Sequence, residues 1–441
     1  MKQFLFRTLG LVALATLTLG AQAVGERSQT SSARPRAEGR VESAGVSIER
    51  LDRLHKGMQG FVDRHEVPGI VTLVAREGRV VDVRAVGFQD VEKNIPMKTD
   101  AIFRIASMSK PITSVAIMML YEEGKLLLTD PVSKFIPAFK SSRVLEGTDA
   151  SSPTVAARRS INLRDLLSHR SGITYGFLSG GPIGGGYRKN GVTDGLTSTT
   201  MTLEEGINKL AAEPLVSQPG AAFNYSLSTD VLGRVVEVAS GQPFNVFLRE
   251  RIFKPLKMVD TDFVVPESKW SRFVTVYSPD GKGGIRPMTD PEAFGNTHMS
   301  PIAYYKEGKT YFSGGAGLAS TASDYARFGN MLVNGGALDG VRLLSPKSIE
   351  LMTANHTADL PQPLPLVGAG RSFGLGFQVV TDLGATQTLG SQGMYGWSGI
   401  YGTNFWVDPK EKLVAIMMVQ RYPGSAVAAS FLPLVYQALV K

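Results

Sequence analysis

The pattern of apolar and polar positions predicts strands at both ends of the chain and helices between them. Residues 47–65 carry apolar side chains at helical spacing, and residues 69–87 form two β-branched apolar runs around a polar turn, which predicts a helix followed by a hairpin. Residues 403–420 predict another hairpin, which turns at Asp408-Pro409 and precedes a final helix. We therefore expect an α/β (α+β) architecture, with one antiparallel sheet built from both chain ends and flanked by helices.

The middle of the chain shows mostly helical patterns separated by loops. Residues 226–244 predict a helix with a serine at its start and a glycine at its end. Residues 178–191 are rich in glycine and are predicted to form a loop, whose part from Gly180 to Gly186 is a candidate border of a substrate pocket. These segments would make up a mainly helical lobe inserted into the sheet.

The first 23 residues have the form of a secretory signal peptide. Lys2 and Arg7 precede an apolar run that is short for a membrane span, and Ala21-Gln22-Ala23 offers a small-residue cleavage site. A retained N-terminal anchor is the alternative. We expect an exported protein, periplasmic or secreted, with no integral membrane span after cleavage.

The remaining chain divides into a linker and a single large domain. Residues 24–46 are polar and predict a linker. Residues 47–441 form the domain, in which an α/β lobe comprises residues 47–105 and 305–441 and a helical lobe comprises residues 106–304.

Charge and cysteine content exclude several functions. The formal net charge is +8, and loss of Lys2 and Arg7 with the signal would leave +6. Basic residues are scattered, whereas nucleic-acid binding needs clustered charge, so no nucleic-acid partner is expected. The chain has no cysteine, which excludes disulfides, thiolate metal ligands and a cysteine nucleophile. We expect no metal and no organic cofactor.

Ser107 and Lys110 are the first candidate pair for catalysis. Residues three apart share a helix face, so the lysine could take the proton of the serine hydroxyl. This requires the lysine pKa to fall by about 3 units, or about 4 kcal/mol, through burial or nearby positive charge. The alternative is that Ser107 caps the helix and Lys110 is solvated. The helix would end at Gly124 and bury one apolar face, made of Ile112, Val115, Ala116, Met119 and Leu120.

A second serine lies in a Gly-x-Ser-x-Gly sequence, Gly370 to Gly374. The nucleophile elbow of α/β-hydrolases needs a strand before it, a helix after it and a downstream histidine. Here a loop is predicted before the sequence and a strand after it, and every histidine lies upstream, so the elbow is rejected. No histidines are spaced as a metal site, and His169 is predicted to pack or hydrogen-bond. The histidines are His55, His65, His169, His298 and His356.

Three motifs in order carry a family resemblance. Ser107-Met108-Ser109-Lys110 is followed by Tyr225, just before a helix, and by Trp397-Ser398-Gly399, predicted at the start of a late strand. The order resembles the Ser-x-x-Lys, Tyr-x-Asn and Lys-Thr-Gly motifs of the serine β-lactamase and penicillin-binding-protein superfamily, above all its family VIII carboxylesterases. The resemblance covers about residues 47–441 and implies a β-lactamase-like fold.

The resemblance also implies a role for each matching residue. Ser107 would be the acylated nucleophile and Lys110 would lower its proton affinity. Tyr225, as phenolate or hydrogen-bonded phenol, would pass the proton to the leaving group. The backbone N–H groups of Ser107 and Ile400 would form the oxyanion hole.

Two departures from the motifs shape the expected substrate. Leu227 replaces the asparagine amide, and Trp397 and Ser398 replace the lysine and threonine before Gly399. These residues are expected to shape the substrate pocket, where a tryptophan offers an apolar wall and one N–H but no cation. The changes favour small-acyl neutral esters over penicillins and D-Ala-D-Ala peptides, unless Arg170 or Arg421 supplies the missing cation.

The sequence thus predicts a serine hydrolase that acts through an acyl-enzyme, a carboxylesterase on a small-molecule ester. A β-lactamase, D-amino peptidase or acyltransferase using the same site is one alternative. A non-catalytic protein that binds peptidoglycan or β-lactams is another.

Overall fold

The computed structural model describes residues 42–149, 151–295 and 297–441. The predicted signal peptide and all but the last residues of the predicted linker lie outside these ranges. Within them, no helix has the length and apolar character needed to cross a membrane.

An eight-stranded antiparallel sheet joins the two ends of the described chain. In chain order its strands are β1 (Gly69–Arg76), β2 (Arg79–Asp90), β3 (Ile95–Pro96), β4 (Arg371–Phe373), β5 (Gln378–Val380), β6 (Tyr395–Ser398), β7 (Asn404–Asp408) and β8 (Leu413–Met418). Their order across the sheet is β4-β5-β6-β7-β8-β1-β2-β3. The strands from the two parts of the chain meet where β8 pairs with β1, with Ile416 opposite Leu73. Both predicted hairpins, β1-β2 and β7-β8, are confirmed.

Six short antiparallel strand pairs lie outside this sheet in the described ranges. They are Glu42–Ser43 with Val46–Ser47, Phe103–Arg104 with Ala319–Ser320, Arg143–Leu145 with Thr154–Ala156, Tyr277–Pro279 with Ile285–Pro287, Glu292–Phe294 with Thr297–Met299, and Ala337–Leu338 with Val341–Arg342. The pair formed by Phe103–Arg104 and Ala319–Ser320 lies directly before the Ser107 segment and therefore anchors it to the rest of the domain.

Helices lie at both ends of the described chain and fill its middle. They are α1 (Ile48–Asp63), α2 (Ser109–Glu122), α3 (Leu163–Leu167), α4 (Gly181–Lys189), α5 (Leu203–Ala211), α6 (Ser228–Ser240), α7 (Phe244–Leu248), α8 (Ala322–Val333), α9 (Pro346–Met352), α10 (Leu383–Thr386) and α11 (Val427–Tyr436). The side chain of Ser47 caps α1 by accepting from the Arg50 N–H, and α6 ends at Gly241, as its sequence predicts.

The central strands β1 and β8 are buried at every residue, so both faces of the sheet are covered there. In β8, Val414, Ile416 and Met418 belong to the core shared with α2 and α8. The alternate residues Ala415 and Met417 belong to a second core with α1 and α11. Because successive strand side chains point to opposite faces, a continuous apolar run is what a strand between two helix layers requires.

Three local predictions were wrong. Helix α2 is buried on all sides from Ser109 to Leu120, not on one face, because the sheet and the helical lobe enclose it. The glycine-rich stretch forms α4 instead of a loop, and at Gly184 a Cβ would lie 1.9 Å from the Ser179 carbonyl oxygen, so glycine permits this tight packing. Trp397-Ser398-Gly399 lies at the end of β6, not at the start of a strand.

Candidate active site

Ser107 lies in a 3₁₀ turn, Ala106–Met108, that leads directly into α2. The preceding Ala106 has φ +42°, a left-handed conformation that is costly for a residue with a Cβ and clusters at functional sites. No side-chain capping bond is made at the start of α2. The interpretation of Ser107 as a helix cap is therefore wrong.

Lys110 is fully buried and lies beside Ser107. Its Nζ is 3.1 Å from Ser107 Oγ, 2.9 Å from the Tyr175 hydroxyl and 2.8 Å from the Gly315 carbonyl oxygen. Burial lowers the pKa of Lys110 from 10.5 to about 7, although the negative charge of Asp230 acts in the opposite direction. A neutral amine can donate to Gly315 and Tyr175 and still accept the proton of Ser107, which is the arrangement that a general base needs.

Asp230, in the first turn of α6, binds the loop that lies next to Lys110. It is fully buried and accepts hydrogen bonds from Ser313 Oγ (2.6 Å) and the Gly315 N–H (2.8 Å). These bonds hold the loop whose Gly315 carbonyl oxygen contacts Lys110. Asp230 therefore positions the lysine through the backbone and also acts on its charge.

Tyr225 lies in the loop before α6, across from Lys110. The centre of its ring is 4.6 Å from Lys110 Nζ, and its hydroxyl accepts a hydrogen bond from Trp397 Nε1 at 3.2 Å. Burial raises the pKa of Tyr225, against smaller opposing effects of the Ser107 and Trp397 side chains. Tyr225 is thus held as a neutral phenol, and of the two predicted proton carriers Lys110 is the better base near pH 7.

The His169 ring packs against the Tyr225 ring. Its ring centre is 4.8 Å from that of Tyr225, and its Nδ1 lies 3.1 Å from Ser226 Oγ. Burial and the nearby Lys110 charge hold the pKa of His169 well below 6.5. The predicted packing and hydrogen-bonding role is confirmed. In the described ranges, no group of three His, Asp or Glu side chains could hold a metal ion.

The turn after β6 brings Ile400 to the same cavity as Ser107. At Gly399 a Cβ would lie 2.3 Å from Thr403 Oγ1 and 2.4 Å from the Ile105 carbonyl oxygen, so glycine permits the turn to press against the Ser107 segment. Within the part of the chain that the structure describes, neither the Ser107 nor the Ile400 backbone N–H donates to a protein acceptor. Two free N–H groups lining one cavity suit a developing oxyanion.

The cavity above Ser107 has a volume of about 490 Å³ and a largely apolar, aromatic wall. Trp397, Ser398 and Gly399 line it. It is also lined by Tyr175, Phe177, Leu178, Asp194, Leu196, Tyr225, Phe294, Gly295, Ala316, Leu366, Ile400 and Tyr422. None of these described lining residues is a lysine or an arginine.

Two expected features of the pocket are absent from this lining. Leu227 is 1% exposed and packs in the core at the start of α6, because its backbone begins the helix and turns the side chain inward. The stretch from Gly180 to Gly186 forms the cap and first turns of α4 and does not line the cavity either.

The two candidate replacement cations are engaged elsewhere. Arg170 pairs with Asp359 at 2.6 Å and also donates to backbone carbonyls. Arg421 donates to the carbonyl oxygen of Gly424 at 2.9 Å and to that of Pro423. Neither lines the cavity, so no arginine replaces the missing motif lysine there.

The rejected Gly-x-Ser-x-Gly sequence forms no elbow. Its Ser372 is the middle residue of the short strand β4, where it is 1% exposed. Its hydroxyl has no hydrogen-bond partner in the described chain.

Tyr175, Asp194 and Gly315 were not predicted from the sequence. Tyr175 and Gly315 contact Lys110 directly, and Asp194 lines the cavity. No local pattern marks them, because they come from loops far apart in the chain. Asp230 had a weak signal, since it is a carboxylate among apolar residues of a predicted helix.

Comparison with known proteins places this geometry in a family. The sequence matches the family described as Beta-lactamase over residues 54–436. An uncharacterized protein of Mycobacterium tuberculosis is 36% identical over 390 residues, covering 86% of this chain and 92% of the relative. Esterase EstB of Burkholderia gladioli is 33% identical over 350 residues, covering 77% of this chain and 82% of the relative.

A solved structure agrees with the sequence relatives. EstCE1, described as a hydrolase with promiscuous acyltransferase activity, superposes with a TM-score of 0.77 at 29% identity, covering 88% of this chain and 99% of EstCE1. The predicted β-lactamase-like fold and the resemblance to the esterase branch of its superfamily are confirmed. Because the family match runs from within the first helix to the last, this chain belongs to the beta-lactamase family.

Proposed function

We propose that this protein is a serine hydrolase that cleaves neutral esters through an acyl-enzyme at Ser107. The observation that carries the proposal is the contact of 3.1 Å between Ser107 Oγ and a buried Lys110 whose pKa lies at about 7. At neutral pH such a lysine is neutral in about half of the molecules and can accept the serine proton.

The chemistry follows from the positions of these groups. Lys110 takes the proton as Ser107 Oγ attacks the ester carbonyl, and the oxyanion forms against the backbone N–H groups of Ser107 and Ile400. Tyr225 relays the proton to the departing alcohol. Water then attacks the acyl carbonyl while Lys110 takes its proton, and this proton passes to Ser107 Oγ as the acid is released. Each oxyanion donor is expected to contribute about 3–4 kcal/mol.

The cavity wall supports a neutral ester as the substrate class. A penicillin or a peptide C-terminus carries a carboxylate, and the described lining offers it no lysine or arginine. Trp397 and its aromatic neighbours suit apolar acyl and alcohol groups instead. The name of the relative EstB, an esterase, agrees with this choice.

Acyl transfer to an alcohol is the second candidate. It uses the same acyl-enzyme, which an alcohol oxygen attacks in place of water. The description of EstCE1 as a hydrolase with promiscuous acyltransferase activity favours it, as does an apolar cavity that would hold an alcohol against the acyl group.

Export of this enzyme is also proposed. It rests on residues 1–23, with their basic start, apolar run and small-residue cleavage site. Expression of the full chain in a bacterium, followed by N-terminal sequencing of the exported product, tests it. A mature protein that begins at Val24 would support export, and an intact protein retained in the cytoplasm would contradict it.

Hydrolysis of p-nitrophenyl esters from acetate to decanoate, compared with nitrocefin, tests the activity. Wild-type protein is expected to favour short esters over nitrocefin, and Ser107→Ala to lose turnover. Ser372→Ala is the matched control, because its buried hydroxyl bonds to nothing in the described chain and its loss should leave activity intact. Preference for nitrocefin would contradict the substrate class, and absence of any turnover would favour a binding protein.

A further inference from the structure

The cavity contains an acidic side chain that the proposed chemistry does not use. Asp194 is the single Asp or Glu among the described lining residues, and it is 4% exposed. It accepts backbone hydrogen bonds from Gly176, at 2.7 Å, and from Phe177. A carboxylate has about four lone-pair sites, so these two bonds leave capacity for a ligand.

This carboxylate has no counter-ion in the described structure. No lysine, arginine or histidine lies within ion-pair distance of it, and the charge that acts on it is the negative charge of Asp230. Burial raises the pKa of Asp194 to about 6, so it is ionised above that pH. A buried charge without a partner is costly, and a cationic ligand would relieve that cost.

Aromatic rings surround the same part of the cavity. Tyr175 stacks on Phe177 with ring centres 4.8 Å apart, and Phe177 contacts Phe294 at 4.6 Å. Phe294 in turn meets Tyr422 edge-on at 5.1 Å. Aromatic faces together with a carboxylate are the chemistry that recognises alkylammonium groups.

We propose that this cavity selects esters that carry an alkylammonium group, which binds between Asp194 and the aromatic rings of Tyr175, Phe177, Phe294 and Tyr422. The inference rests on the proposed hydrolase function of the same site: neutral esters remain substrates, and esters with a cationic alkylammonium group are the preferred ones. It also adds a reason to expect poor turnover of carboxylate-bearing substrates, since an ionised Asp194 would repel them.

A matched pair of thioesters tests the selection. Acetylthiocholine carries a quaternary nitrogen where S-(3,3-dimethylbutyl) thioacetate carries a carbon, so the pair differs in charge at nearly equal shape. Hydrolysis adds water across the thioester to give acetate and a free thiol, which a thiol reagent measures. The protein has no cysteine and gives no background. Wild type is expected to show a kcat/KM at least about tenfold higher for the cationic ester.

The variant Asp194→Asn should bring this ratio close to one. The asparagine oxygen can still accept the Gly176 N–H, so the turn that carries Tyr175 keeps its support. Asp149→Asn is the matched control, because Asp149 is exposed and lies outside the cavity lining, and it should keep the wild-type ratio. A ratio near one in the wild type, or an unchanged ratio in Asp194→Asn, would overturn the inference.

Binding separates this inference from the proposed hydrolysis. Phenyltrimethylammonium is titrated into the Ser107→Ala protein by calorimetry, with and without Asp194→Asn. Binding that weakens about tenfold or more with Asp194→Asn supports the ammonium site even if no ester is turned over. Absence of binding overturns the ammonium site even if the neutral thioester is hydrolysed by the wild type.

Discussion

The pH dependence of ester hydrolysis is the prediction that follows most directly from the buried lysine. Desolvation lowers the pKa of Lys110 from 10.5 to about 7. That difference corresponds to about 5 kcal/mol against the charged form. At pH 7 the neutral amine is then present in about half of the molecules, against about one in 3,000 for an unshifted lysine.

Because only the neutral amine can accept the serine proton, kcat/KM should rise tenfold per pH unit below 7 and level off above it. The assay is p-nitrophenyl acetate hydrolysis between pH 5 and 9, with the Ser107→Ala rate subtracted at each pH. A neutral substrate is chosen so that ionisation of Asp194 adds no charge interaction with the ester.

Asp230→Asn provides the matched perturbation. The charge of Asp230 raises the pKa of Lys110, so its removal should shift the rising limb to lower pH. Asparagine keeps an acceptor for Ser313 or Gly315, and circular dichroism checks the fold. Two results would refute the assignment of Lys110 as the base. One is a wild-type kcat/KM that rises only near pH 10, and the other is a rise at the same pH in wild type and Asp230→Asn.

Three further substitutions test the rest of the site. Tyr225→Phe keeps the ring packing but removes the hydroxyl that relays the proton. The kcat for p-nitrophenyl acetate should therefore fall about 10²–10⁴-fold with little change in Tm. A smaller fall would exclude proton relay by Tyr225. Gly399→Ala places a Cβ 2.4 Å from the Ile105 carbonyl oxygen and should lower kcat at least about 10²-fold, whereas Gly180→Ala meets nothing within 4 Å and should stay active. Leu227→Ala should lower the free energy of unfolding by about 2–5 kcal/mol, and with it Tm, because the side chain is in the core. The preference for ester length should stay unchanged. An altered preference in the p-nitrophenyl series would show that Leu227 shapes the pocket.

The sheet and its flanking helices could be predicted because their signals are local. Hairpins β1-β2 and β7-β8 show apolar runs around a polar turn, and α1 begins at a capping serine, Ser47. The failures arose where tertiary packing overrides composition. A glycine-rich stretch became α4 because the close approach at Gly184 suits glycine.

The site could be predicted only as far as its motifs extend. Ser107, Lys110, Tyr225 and Trp397 lie in recognisable segments. Ser107, Tyr225 and Trp397 line one cavity, and Lys110 lies beside Ser107. Tyr175, which contacts Lys110, and Asp230, which acts on its charge, come from distant parts of the chain. Burial of Lys110 on every side is a property of the packed domain and has no local signature.

The central claim is that Ser107 is the nucleophile, and covalent labelling tests it most directly. The protein is treated with a fluorophosphonate, digested and mapped by mass spectrometry, with Ser107→Ala and Ser372→Ala in parallel. The account predicts one adduct, on Ser107, in the wild type and in Ser372→Ala, and none in Ser107→Ala. An adduct on Ser372 or on any other residue, or no adduct in the wild type, would contradict it.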